Sequence, residues 1–113
     1  SEGVIAEIVA NLLENAFRYS PPQASIGIEV IENGICIWDE GIPISEKERK
    51  KIFEKGFRGE SGLKIPGSGI GLALARDLAR QVGGDLKLVV NPSQFQSSLP
   101  DSGNAFVFNL EPK

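Results

Sequence analysis

The sequence predicts an α+β fold, a two-layer sandwich with helices covering one face of a sheet. Two observations carry this. The elements run helix, hairpin, helix, helix, hairpin along the 113 residues. The longer helices carry apolar arcs that need a sheet face for burial. The length suits one compact domain, residues 1–113. With 41% hydrophobic residues, a modest core is within its reach.

The first helix spans 4–19. At about 100° per residue, Ile5, Ile8, Val9, Leu12, Leu13, Ala16 and Phe17 cover one broad arc, and Glu7, Asn11, Glu14, Asn15 and Arg18 the opposite one. Ser20-Pro21-Pro22 ends it, because proline cannot continue a helix. Strands follow at 25–31 and 35–39, with Asn33-Gly34 as the hairpin signal between them. Asp39-Glu40-Gly41-Ile42-Pro43 is a loop by composition. Ser45, with Glu46 and Glu48 behind it, marks a short helix over 46–54. Residues 56–69 are glycine-rich and read as a long loop of the kind used as a lid. Residues 70–82 are helical, with Leu72, Ala75, Leu78, Ala79 and Val82 at helical spacing, until Gly83-Gly84 stops them. A strand at 85–90, a polar connector at 91–104 and a final strand at 105–110 complete the chain.

Composition narrows the function. The net charge of -3 gives no electrostatic case for nucleic acid or an acidic membrane surface. Absence of histidine removes imidazole ligands, imidazole bases and any phosphohistidine within this chain. The lone Cys36 cannot form an internal disulfide and reads as a small buried strand residue. No apolar run approaches membrane-spanning length and the N-terminus shows no signal-peptide pattern, so a cytoplasmic chain, or the cytosolic part of a larger one, is expected.

Three features carry chemistry. Asn11 and Asn15 lie four apart on one helix face, where asparagine is a poor interior residue. A solvated face explains this; so does an amide oxygen facing a cation, with Arg18 facing an anion. Magnesium takes few protein ligands and completes its shell with phosphate and water, which suits Asn15 beside a nucleotide. Gly67-Ser68-Gly69-Ile70-Gly71-Leu72 opens a helix, where backbone N–H groups approach phosphate closely. It is neither a dinucleotide fingerprint nor a P-loop, lacking the preceding strand of the first and the Lys-Ser/Thr of the second. Asp39 ends a strand just before Gly41, where its carboxylate either caps the turn or accepts from an exocyclic amine.

In that order these features resemble the GHKL group, which includes gyrase, MutL and the histidine kinases, and most of all the histidine kinase catalytic domain. Asn11 to Ser20 (NLLENAFRYS) is similar to the kinase N box, Asp39 to Pro43 to the G1 box, Phe53 to Ser61 (FEKGFRGES) to the F box, and Gly67 to Leu74 (GSGIGLAL) to the G2 box. The resemblance covers about Glu7 to Leu110. It implies a Bergerat-type sandwich with a mixed, mostly antiparallel sheet and helices on one face. It also implies ATP and Mg2+ as cofactors. Asn15 would coordinate the metal, with Asn11 near the phosphates and Arg18 on them. Tyr19 would lie near the base or sugar, Asp39 would accept the adenine amino group, and Gly41 would let the backbone pass the base. Residues 57–69 would form the lid, shaped by Gly67, Ser68, Gly69, Gly71 and Leu72 at its phosphate end. Arg58 would face the phosphates or the lid.

Hydrolytic members resemble a Glu-x-x-x-Asn pattern, in which Glu activates water. Asn11 at that position is no base, which suits transfer over hydrolysis. The acceptor histidine must then lie on a separate dimerisation and phosphoacceptor domain, with a response regulator downstream. The chain also departs from the pattern. Pro43 stands where a second glycine is usual, and the spacing to Phe53 favours a substitution over a deletion. Gly56 stands where a second Phe is common. The last strand reads Gly103-Asn104-Ala105 where Gly-Thr is frequent. The family's usual strand before the N box is missing, as in an excised fragment. An anti-sigma-type serine kinase or ATPase, and a degenerate module without nucleotide, are the alternative readings.

Overall fold

α1 runs over Glu2–Tyr19, β1 over Ile26–Ile31 and β2 over Gly34–Asp39. α2 is Glu46–Arg49, α3 Gly71–Gln81, β3 Gly84–Val90 and β4 Asn104–Leu110, with a 3-10 turn at Pro92–Gln94. This computed structural model describes residues 2–54 and 71–110, leaving aside the side chains of Glu2, Arg18 and Tyr19 and that of position 71.

The strands form a 4-stranded sheet in the order β1-β2-β4-β3, with every pairing antiparallel. Side chains alternate between faces of a sheet, so the register resolves the helix-facing side into rows. One row is Val30, Ile35, Phe108 and Leu86; the next is Ile28, Ile37, Phe106 and Leu88. The end row is Ile26, Asp39, Asn104 and Val90. α1 and α3 cover this face, burying Ile8, Leu12 and Ala16 from the first helix and Leu72, Ala75 and Ala79 from the second with Ile37, Leu86, Phe106 and Phe108.

The opposite face carries its own cluster of Cys36, Leu99, Ala105 and Val107, against which Trp38 and Phe95 pack. The connector read as a polar loop is therefore a cover: it folds back through the Pro92–Gln94 turn and lays Phe95 and Leu99 on the sheet. Its composition hides this because only those two side chains are large and apolar. Burial pushes the Cys36 thiol up to about 11, with Glu29 adding to the shift, consistent with an inert core residue.

Other local differences have physical causes. The hairpin turn is Glu32-Asn33, with Asn33 at φ 62, and Gly34 already pairs with Ile31. Gly34 is glycine because a Cβ there would strike the Phe108 carbonyl and the Asn109 backbone of β4. Ser45 caps α2 by accepting from the Glu48 N–H at 3.3 Å, but α2 ends at Arg49 and continues as turns to residue 54. Arg76 and Arg80, one turn apart on α3, converge on Asp85 Oδ1 at 3.6 and 3.2 Å. Arg76 also lies 4.8 Å from the centroid of the Phe53 ring. Burial raises the Asp85 pKa, but the Leu86 N–H and the two guanidiniums outweigh it and hold the carboxyl below its ordinary value.

Candidate functional site

α1 holds the first part of the site. At about 100° per residue, Asn15 falls about 20° from Ile8, whereas Phe17 falls about 180° away. The broad arc drawn from the sequence was thus too wide: Phe17 is 69% exposed and Asn15 only 6%. Asn15 interrupts an otherwise apolar buried stripe, and among the described residues its Nδ2 has no hydrogen-bond partner. A buried amide with unmet capacity is costly unless something else meets it. Asn11 lies one turn earlier and donates from Nδ2 to its own helix, at Glu7 O, 3.0 Å away. That bond uses the nitrogen and not the amide oxygen.

The end row of the sheet holds the second part. Asp39 is 1% exposed, at the last position of β2 and on the helix-facing side. Its Oδ1 accepts from the Gly41 N–H at 2.8 Å, an Asx-type turn that folds the chain back at once. Burial raises the Asp39 pKa, against the lowering effects of the Gly41 N–H, the Asn104 amide and the Ser20 side chain. Ser20 lies near enough to favour the charged form, although among the described residues its buried hydroxyl makes no hydrogen bond of good geometry. The end of α1 therefore reaches Asp39. One carboxyl oxygen is held by the backbone, and the group retains acceptor capacity in a nearly dry place.

Asn104 and Gly103 belong to this part and were missed as site residues. Asn104, opposite Asp39 in the register, is 1% exposed. Its Oδ1 accepts from the Ile44 N–H at 2.8 Å, and its Nδ2 donates to Ile42 O at 2.9 Å. Gly103 has φ 133, and a Cβ on it would collide with the Asp39 carbonyl. Only the cross-strand register brings them to Asp39, across more than sixty positions of sequence. Neither spacing nor composition signals it.

The remaining expected residues fall as follows. Gly71 is the first residue of α3, and Leu72 is buried in the apolar core. Gly41 is buried beside Asp39. Arg18 and Tyr19 close α1, but their side chains are not described; Arg58, Gly67, Ser68 and Gly69 lie outside the described residues. No described helix is long and apolar enough to cross a membrane.

The arrangement suits a purine nucleotide. Asp39 offers a buried acceptor, and the Asn15 Nδ2 is a buried donor that an acceptor atom of a bound ligand would satisfy. Comparison with known proteins identifies the family. The family model for histidine kinase-, DNA gyrase B- and HSP90-like ATPases matches residues 2–113. Sensor histidine kinase Hik2 of Thermosynechococcus vestitus is 39% identical over 92 residues, 77% of this chain and 24% of that protein. Swarming motility regulation sensor protein RssA of Serratia marcescens is 34% identical over 108 residues, 91% of this chain and 21% of that protein. The chain thus spans about a quarter of the length of these relatives. Among solved structures, mycobacterial sensor histidine kinase MprB superposes with a TM-score of 0.75 at 30% identity, covering 97% of this chain and 73% of that one. The chain belongs to the family of histidine kinase-, DNA gyrase B- and HSP90-like ATPases, as a catalytic domain of the sensor-histidine-kinase type.

Proposed function

We propose that this chain binds Mg-ATP and, within a longer cytoplasmic or membrane-anchored sensor kinase, directs the γ-phosphoryl group to a histidine on a separate dimerisation domain. The observation that carries the reading is that this chain has both a buried, backbone-oriented Asp39 carboxyl and a buried Asn15 amide whose Nδ2 donor has no partner among the described residues. Both sit in a chain of this kinase family. ATP supplies the transferable phosphoryl group and Mg2+ the charge neutralisation.

This chain's own residues bind and orient. Asp39 accepts from the adenine amine, while the turn at Gly41 keeps the backbone close and free of side chains. Asn15 contributes an amide oxygen to the metal. Asn11 and Arg18 face the phosphates, Tyr19 the base or sugar. Arg58, Gly67, Ser68, Gly69 and Gly71 supply the phosphate-side loop and helix start, with Leu72 anchoring that start in the core. Positioning with fixed charge is most of what phosphoryl transfer requires. Asn11 cannot act as a base towards water, which favours transfer over hydrolysis. The chain has no histidine, so the acceptor lies outside it, and a response regulator takes the phosphoryl group afterwards.

Calorimetric titration with a non-hydrolysable ATP analogue, with and without Mg2+, on wild type and Asn15→Ala tests this. Magnesium-dependent binding that the substitution abolishes is expected. A folded chain that ignores millimolar nucleotide would sink the reading and leave a module that has lost its ligand.

A further inference from the structure

Pro43 interrupts the loop after Asp39 and brings no N–H of its own. The peptide groups on either side of it are nevertheless satisfied, and by one side chain. Asn104 donates to the Ile42 carbonyl before the proline and accepts from the Ile44 N–H after it, at 2.9 and 2.8 Å. In an extended chain the carbonyl of the preceding residue and the N–H of the following one point to the same side. The Asn104 primary amide therefore pairs with the loop around Pro43 much as a neighbouring strand would. Only an amide does this: it carries a donor and an acceptor on separate atoms, whereas a hydroxyl has a single oxygen for both roles. Asn104 is also opposite Asp39 in the register and shares its row.

We propose that Asn104 is a positioning residue: its amide brackets Pro43 and holds residues 39–44 so that the Asp39 carboxyl is aimed at the exocyclic amine of a bound purine before the nucleotide arrives. The inference rests on the nucleotide reading above and deepens it. Proline fixes one dihedral of the loop and Asn104 fixes the two peptides around it, so recognition costs little loop ordering on binding. The two departures from the family pattern act as one device.

The test uses Asn104→Ala in the full chain, with Asn104→Thr as a second variant should the first fail to fold. Affinities are measured for a non-hydrolysable ATP analogue and for the matching triphosphate of a purine lacking the 6-amino group. Amide exchange at Ile44 is followed without nucleotide. Wild type should prefer the 6-amino compound by roughly tenfold, the worth of about one hydrogen bond. In Asn104→Ala that preference should collapse while affinity for the des-amino compound changes less than about twofold, and Ile44 exchange should accelerate by tenfold or more, as loss of a buried bond requires. Asn104→Thr should fall between. A residue that merely supports the fold would lower both affinities together. A preserved preference, or unchanged Ile44 exchange, in a folded variant would overturn the inference alone. Wild type that binds neither compound would overturn the nucleotide reading, and this inference with it.

Discussion

Asp39→Asn should separate stability from nucleotide binding. The Asp39 carboxyl is 1% exposed. Burial raises its pKa even though the Gly41 N–H, the Asn104 amide and the Ser20 side chain favour the charge. The ionised form is therefore held at a net cost to folding. The amide sheds that charge and keeps an oxygen for the Gly41 N–H, which donates over 2.8 Å. Against this, it turns an NH2 towards the Asn104 donor and loses at most about one net hydrogen bond, about 1 kcal/mol. The two terms oppose, so the thermal midpoint should stay within about 4 °C of wild type in either direction.

Binding has no such compensation. An amine facing an NH2 loses a charge-assisted acceptor worth about 1.5–3 kcal/mol, which is about 10- to 150-fold in Kd. Thermal unfolding by circular dichroism and titration with the ATP analogue read the two quantities on the same sample. Affinity within about twofold of wild type, in a folded variant, would remove Asp39 as the base acceptor. A collapse of the midpoint would make its role structural.

Three further outcomes follow from the same geometry. Because the Asp39 pKa is raised by burial, nucleotide affinity should start to fall on acidification above the ordinary carboxylate range. Affinity is present above the folded pKa and lost below it, whereas the group's contribution to stability runs the other way and is lost as pH rises through that pKa. A pH titration of affinity checks this, and the same acid limb in Asp39→Asn would contradict it. Gly103→Ala forces a side chain into φ 133 and onto the Asp39 carbonyl; it should cost about 1–3 kcal/mol or more, and an unchanged urea midpoint would refute the clash. Leu12→Ala empties a fully buried core position and should destabilise by about 2–5 kcal/mol, with the affinity of the folded fraction, measured well below the midpoint, left intact.

Much of the architecture was legible because it is local. Apolar spacing marks α1 and α3, and proline or glycine punctuation ends them. Alternation around Asn33-Gly34 announces the first hairpin, although the role of Gly34 lies in the close approach of β4. What was not legible depends on contacts made across the sequence. The packing of Phe95 and Leu99 on the far face requires knowing that this face carries its own apolar cluster. The burial of Asn15 follows from its alignment with Ile8 on the helix wheel, which the broad arc drawn from composition obscured. Asn104 reads as a missing hydroxyl in sequence and as a bracket only in three dimensions.

The candidate site is also held by the core in a specific sense. Asp39 and Asn104 share a face with Ile37 and Phe106, which precede and follow them by two positions in their strands. A slip of one residue in the β2–β4 pairing would turn Asp39 to the far face, towards Phe95 and Leu99, and carry Ile37 out of the main core with it. The free energy of burying Ile37, Phe106 and Phe108 beneath α1 and α3 therefore fixes which way the carboxyl points. This explains how a buried acid with a raised pKa is retained: the apolar rows behind it set the register, and the cost of its desolvation is small beside the burial that a slipped sheet would forfeit. Aim comes from the core and fine placement from Gly41, Gly103 and Asn104, so volume-conserving core changes should leave recognition intact where loss of any one of those three does not.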